Sequence, residues 1–218
     1  MTKIYPAPWT LSGKGYILLY RFPKNFVEEK VNLPEFLKGH YTGGFGALML
    51  VDYSASDAGP YSELLFIPGK FKHQGKKLNT ISNIYVSTME SVENGRRNWG
   101  IPKEPAEFSF QGTAPHTEKV SIHSGDGTIA EFTLESGGLS FPVNTRLFPF
   151  PLVQYHEGSY YYTTFQGSGT GKLAKLKEVH INSRLFPDIS DFKPLIAIKV
   201  DPFKITFPVA AIVASGDN

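Results

Sequence analysis

The stretch 94–108, NGRRNWGIPKEPAEF, places Lys103 directly behind an apolar Trp-Gly-Ile-Pro approach and ahead of Glu104 and Pro105. An amine acts as a nucleophile only when neutral. The reference pKa of a lysine, about 10.4, keeps it protonated at pH 7, and two conditions lower that value: removal from water and a nearby positive charge. The neighbours of Lys103 are of the types that could supply both. Trp99, Ile101, Pro102 and Pro105 can build an apolar wall, Arg96 and Arg97 lie one short helix away, and the flanking prolines restrict the backbone that carries the amine. A neutral lysine attacks a ketone to form an imine, and the protonated imine is an electron sink for loss of CO2 or of a proton. The same residues also fit a solvated surface lysine with no chemical role, so the residues alone leave both readings open.

Other groupings carry less. The run Gly167-Ser-Gly-Thr-Gly-Lys172 lacks the spacing of a phosphate loop, because Gln166 stands where the first glycine belongs and Leu173 follows the lysine. It reads as a flexible β-turn. His40, His73, His116, His123, His156 and His180 are the six histidines, and none pairs at a metal-ligand spacing, so no metal site is expected. No Gly-x-Ser-x-Gly elbow is present. The aromatic run Tyr160-Tyr161-Tyr162 reads as barrel wall rather than as a binding box.

The elements that must position Lys103 follow a period of two. Strands are expected over 15–21, 45–53, 61–67, 83–88, 106–111, 118–123, 127–134, 158–166, 172–181, 195–200 and 203–208, rich in β-branched and aromatic residues and separated by Gly, Pro, Asn and Asp. The run 123–128 is a hairpin signal, with Asp126-Gly127 supplying positive φ. Helices are expected only at 32–38, with Asn32 as cap and Pro34 in the first turn, and at 87–97, starting near Ser87 or Thr88. Eleven strands with two short helices make a mainly β chain, a β-dominated α+β fold of barrel or sandwich type. No composition shift marks a linker, so 1–218 is read as a single domain.

Of the 218 residues, 41% are hydrophobic, enough for a sizeable core, and the formal charge of +2 gives no reason to expect a nucleic-acid partner. Cysteine is absent, which excludes disulfides, thiolate metal sites and cysteine nucleophiles within this sequence. The opening MTKIYPAPWTLSGKG has no apolar signal core and no apolar run approaches 18 residues, so a soluble cytoplasmic protein without membrane association is expected.

Three motifs together resemble a known family. Gly95-Arg96-x-x-Trp99-Gly100-Ile101-Pro102-Lys103 resembles the G-R-E-x-x-G-x-P-K segment of acetoacetate decarboxylases. Gly59-Pro-Tyr61-Ser-Glu63 resembles that family's G-x-Y-x-E strand, and Tyr20-Arg21-Phe22 sits where the family carries an arginine after its first long strand. The resemblance covers roughly the first half of the chain. It implies a cone-like antiparallel β-barrel with a few short helices, homo-oligomers, and a Schiff-base mechanism on a small keto acid or ketone with neither metal nor organic cofactor. Carried over, Lys103 is the imine-forming lysine and Glu63 the catalytic pocket carboxylate. Arg21 is the guanidinium that meets the substrate carboxylate, with Tyr61 and Trp99 beside the substrate.

Two departures from the family pattern are plain. Glu104 replaces a second lysine, and an acid facing the amine would raise its pKa. Neighbours on an extended segment point to opposite sides, which allows Glu104 to face away and leaves burial to activate Lys103. The strand before Tyr61 also lacks a second glutamate, with Asp52 and Asp57 as its only acids, which argues against acetoacetate itself as substrate. The leading expectation is a Schiff-base-forming lyase, decarboxylating by default, with aldol or dehydration chemistry close behind. The alternative is a non-catalytic barrel that binds a small apolar or carboxylate ligand, in which Lys103 stays charged. An oligomer contact through Arg96 and Arg97 is compatible with either.

Overall fold

The computed structural model describes residues 2–147 and 149–216. Its strands in chain order are β1 Trp9–Tyr20, β2 Tyr41–Gly43, β3 Gly46–Ala55, β4 Tyr61–Ile67, β5 Lys70–His73, β6 Lys76–Asn79, β7 Asn83–Val86 and β8 Lys103–Pro105. They continue with β9 Glu107–Ala114, β10 Thr117–Ser124, β11 Gly127–Asn144, β12 Pro151–His156, β13 Ser159–Thr164, β14 Gln166–Ile181, β15 Ile196–Phe207 and β16 Ala211–Ala214. Helix α1 spans Lys24–Lys30 and α2 spans Met89–Trp99. The fold is mainly β, as expected.

Ten strands form one curled half-barrel sheet in the order β8-β7-β4-β3-β1-β15-β14-β11-β10-β9, and six form a second in the order β16-β13-β12-β6-β5-β2. Alternation along the strands divides the large sheet into two apolar faces. Leu48, Leu50, Leu64 and Phe66 look to one core, with Phe26 and Val27 of α1 packed there; Ala47, Val51, Tyr53, Tyr61, Leu65 and Ile67 look to the other.

Glycine produces the curl. The register of β1 on β15 shifts between Gly13 and Gly15, and that of β14 on β15 between Gly169 and Gly171. A Cβ on Gly15 would lie 2.6 Å from the Leu50 carbonyl oxygen, and one on Gly169 would lie 2.6 Å from that of Pro202. Only glycine lets the strands cross this closely, and bulges at the same places bend the sheet. The Gly-rich run at 167–171 is therefore part of the long strand β14, not the turn expected from its composition. Likewise 195–200 and 203–208 join into β15, because Pro202 falls at that bulge, where its missing N–H costs no ladder bond.

The helical expectations divide. Thr88 caps α2, accepting from the Ser91 N–H at 3.3 Å, as the 87–97 reading required. The 32–38 segment makes only a single 3-10 turn over Glu35–Leu37, with Pro34 rather than Asn32 at its start. The first true helix is α1, whose short amphipathic signal was not anticipated. The 123–128 hairpin forms, Ser124 pairing with Gly127 at φ 108°.

Candidate functional site

Alternation on β4 places Tyr61, Glu63 and Leu65 on one face, and the β3–β4 register sets Tyr53 opposite Tyr61 and Val51 opposite Glu63. The two tyrosine rings lie 4.6 Å apart. Lys103 reaches the same face by a different route. Strands β7 and β8 are parallel neighbours, and parallel pairing requires a crossover, which α2 provides. Lys103 pairs with Ile84 and Pro105 with Val86, while Glu104 pairs with Tyr85 on the opposite face. The crossover thus lays α2 over the Lys103 side chain and turns Glu104 away from it. Burial, with Glu104 as the next contributor, pushes the Tyr85 phenol up to about 12, in keeping with that placement.

The Lys103 side chain is buried, with the residue 3% exposed and Glu63 4%. Its Nζ donates to Glu63 Oε2 at 3.0 Å, to Ser91 Oγ at 3.0 Å and to the Tyr61 hydroxyl at 3.4 Å, which engages all three ammonium hydrogens. The Tyr53 hydroxyl donates to the other Glu63 oxygen at 3.1 Å. Burial first, and then the Glu63 carboxylate, hold the phenols of Tyr53 and Tyr61 well above the usual tyrosine range, so both remain donors.

The helix is shaped for the lysine stem. Ser91 and Gly95 stand one turn apart on the buried side of α2. A Cβ on Gly95 would sit 2.6 Å from Lys103 Cδ and 2.8 Å from Cε. A mid-helix glycine costs about 1 kcal/mol relative to alanine, and here it makes room for the amine. Gly100 ends α2 with φ 64°, its N–H donating to the Arg96 carbonyl at 2.9 Å. Beyond it Trp99 is pinned by a hydrogen bond from Nε1 to the Pro208 carbonyl at 2.7 Å and by edge contact with Trp9, whose centroid lies 5.0 Å away. With Leu11, Ile84 and Ile101 these indoles wall a small cavity around Lys103, Glu63 and Tyr61.

Of the residues singled out in the sequence, Lys103, Glu63, Tyr61 and Trp99 meet in this cavity. Arg21 does not: it is exposed at the end of β1, its guanidinium 5.0 Å from the Phe45 ring. The apolar wall is built by Trp99 and Ile101, whereas Pro102 and Pro105 are exposed, and Arg96 and Arg97 face solvent from the outer side of α2. Three participants were missed, namely Tyr53, Ser91 and Gly95. Among the described residues no group of three His, Asp or Glu side chains is arranged to hold a metal, and no helix is long and apolar enough to cross a membrane.

A second, larger cavity adjoins the first. The two share Tyr53, Glu63, Leu65, Ile81 and Phe207 as lining, so Glu63 stands at their junction.

The model of the acetoacetate decarboxylase (ADC) family matches residues 2–180. A curated relative, Protein NEOXANTHIN-DEFICIENT 1 of Arabidopsis thaliana, is 27% identical over 116 residues, which is 51% of this chain and 40% of that protein; the chain therefore matches less than half the length of that relative. Among solved structures, the acetoacetate decarboxylase of Legionella pneumophila superposes with a TM-score of 0.71 at 13% identity, covering 96% of this chain and 88% of that one. The enduracididine biosynthesis enzyme MppR, complexed with the condensation product of pyruvate and imidazole 4-carboxaldehyde, gives 0.67 at 14% identity, with 96% and 90% covered. An acetoacetate decarboxylase-like enzyme from Sphingomonas wittichii RW1 gives 0.64 at 10% identity, with 96% and 94% covered. These likenesses share the fold described above, and the family match over most of the chain, joined to the Lys103–Glu63 site, shows that this chain belongs to the acetoacetate decarboxylase family.

Proposed function

We propose that this chain is an imine-forming lyase that works through Lys103 on a carbonyl compound, with loss of CO2 from a β-keto acid as its default reaction. The observation that carries the reading is a buried amine with a carboxylate 3.0 Å away and an apolar enclosure around both. Two buried charges cost several kcal/mol per ion in desolvation, and passing one proton from Nζ to Glu63 Oε2 removes both at once. The first turn of α2 presents Ser91 to Nζ, fixing the amine at the carboxylate.

The neutral amine attacks the substrate carbonyl. The carbonyl oxygen takes one proton from the attacking nitrogen and one from Glu63, water leaves, and the protonated imine, with one hydrogen left on nitrogen, faces the Glu63 carboxylate. If a carboxylate lies β to the imine carbon, its C–C bond breaks and the electron pair flows to the imine nitrogen, giving CO2 and an enamine. Protonation at carbon and hydrolysis release the ketone and restore Lys103. Tyr53 and Tyr61 hold Glu63 and the reacting oxygen by their retained hydroxyl protons. MppR, a structural neighbour described in complex with the condensation product of pyruvate and imidazole 4-carboxaldehyde, makes a small keto acid the first probe. Arg21 has no part in this reading, because it lies outside the cavity.

The test is borohydride reduction in the presence of acetoacetate or pyruvate, followed by mass mapping, with CO2 release measured in parallel. A reduced adduct on Lys103, absent in Lys103→Met, is expected. A second reading is favoured by the ion pair itself: Lys103 stays charged against Glu63 and the barrel only binds its ligand. A panel of keto acids and ketones that leaves no adduct would select that reading.

A further inference from the structure

We infer that the carbonyl compound taken up by this protein carries a long uncharged apolar tail, and that the tail lies in the cavity beyond Glu63. The inference rests on the reading above for the carbonyl end only. The tail site stands on its own geometry.

The larger cavity is walled largely by residues of β1, β3, β4, β11, β14 and β15, among them Ile17 from β1, Met49 from β3, Gly167 from β14, and Val200 and Ile205 from β15, with Phe165 just ahead of β14. Among the described residues, Glu63 is the single charged side chain that lines it, and Glu63 sits at the end shared with Lys103. Along β4 the lining runs from Glu63 to Ile67, four residues, or ~13 Å at ~3.3 Å per residue, the reach of an extended chain of about ten carbons. Acetoacetate or pyruvate would reach only the Glu63 end of this apolar run. A guanidinium for a distal carboxylate is missing from the lining among the described residues, since Arg21 lies elsewhere. The enclosure therefore selects by apolar contact, and a polar or charged tail would lose its water with no partner in return. Continuity fixes the orientation: the two cavities meet at Tyr53, Glu63, Leu65, Ile81 and Phe207, so a carbonyl at Lys103 directs its substituent into the larger space.

The experiment uses the intact chain and a homologous series of methyl ketones from butanone to 2-tridecanone, each trapped with borohydride at graded concentrations. The half-saturating concentration at Lys103 is expected to fall at least tenfold between the shortest and the longest ketone. It is expected to rise again at least tenfold when the far end of the longest carries a carboxylate. In parallel, Lys103→Met, which cannot form an imine, is titrated with the same ketones by intrinsic tryptophan fluorescence, and the same order of affinity is expected. Met49→Trp narrows the tail site and is expected to cut the preference for the long ketone over butanone at least tenfold. Equal trapping of short and long ketones, or indifference to the terminal carboxylate, overturns the inference while leaving imine chemistry intact. Chain-length-dependent binding without any adduct supports the tail site and removes the imine reading instead.

Discussion

Gly95→Ala isolates the positioning of the amine. The added methyl would begin 2.6 Å from Lys103 Cδ, and an ordinary van der Waals contact starts at 3.4 Å, so the stem must retreat by about 0.8 Å. The stem has little freedom to do so, because its tip is held by Glu63, Ser91 and Tyr61. Bonds of 3.0 Å would stretch beyond hydrogen-bonding range, or α2 would lift from β8. The helix itself gains about 1 kcal/mol from alanine, while overpacking a buried site costs about 1–3 kcal/mol, so net stability should fall by no more than about 2 kcal/mol. Reactivity should fall far more. A misplacement approaching 1 Å costs about a hundredfold when the reacting atoms must be aligned. The assay pairs denaturant unfolding with the initial rate of borohydride-trapped adduct on Lys103. A double-mutant comparison sharpens it. In a Lys103→Ala background the clash is gone, and Gly95→Ala should then stabilise the fold by about 1 kcal/mol. If Gly95→Ala traps substrate as fast as the parent, or destabilises equally with and without the lysine, the placement of the amine against α2 is wrong.

Lys103→Met strands the Glu63 carboxylate in an apolar cavity and should destabilise by about 3–5 kcal/mol in urea unfolding, whereas Lys103→Met combined with Glu63→Leu should recover most of that loss, since a buried pair replaced whole is close to neutral. Tyr53→Phe removes one donor to Glu63 and should cost about 1.5–3 kcal/mol by the same measurement, with a slower trapping rate. At high pH the sign follows from the raised phenols. Tyr53 and Tyr61 ionise in the unfolded chain near the ordinary value of about 10 but resist ionisation when folded, so their contribution is complete below that pH and is lost above it. Each should withdraw about 1.4 kcal/mol of unfolding free energy per pH unit beyond about pH 10, read as a falling urea midpoint alongside a step in tyrosinate absorbance that accompanies unfolding.

Much of the site was legible because its parts lie on strands that obey a period of two. Reading 61–67 as a strand places Tyr61 and Glu63 on one face, and the Pro-Lys segment after a capped helix brings Lys103 within reach of them. Tyr53 was legible in principle: treating 45–53 and 61–67 as one hairpin puts Tyr53 opposite Tyr61, as the register has it. Ser91 and Gly95 were harder to find. Their signal is a small residue repeated at a helical spacing of four, and its meaning depends on which strand the helix covers, a matter of tertiary crossover rather than local pattern. The glycine run at 167–171 shows the reverse error. Its composition reads as a turn, yet the glycines meet both neighbouring strands closely, Gly167 and Gly169 against Ile205 and Pro202 of β15 and Gly171 against Val143 and Phe141 of β11, which no local window contains. Short charged strands such as β5 and β6 escaped because each carries a single large apolar side chain, Phe71 and Leu78, and offers no alternation to read.

The replacement of a second lysine by Glu104 looks damaging only along the sequence. A cation beside the amine acts by opposing the ammonium; an acid there would do the opposite. On β8, however, the residue after Lys103 points through the sheet towards Tyr85, and neither sign of charge at 104 faces Nζ directly. Arg96 and Arg97 are turned to solvent and are screened. What remains near the amine is a dry wall of indole and aliphatic groups, the start of a helix, and one carboxylate. On the reading proposed above, that carboxylate is the group, 3.0 Å away, that takes the proton from Nζ when the amine attacks a carbonyl. A ligand filling the apolar space would complete the enclosure around both groups, so on this reading imine formation is coupled to occupancy of the cavity.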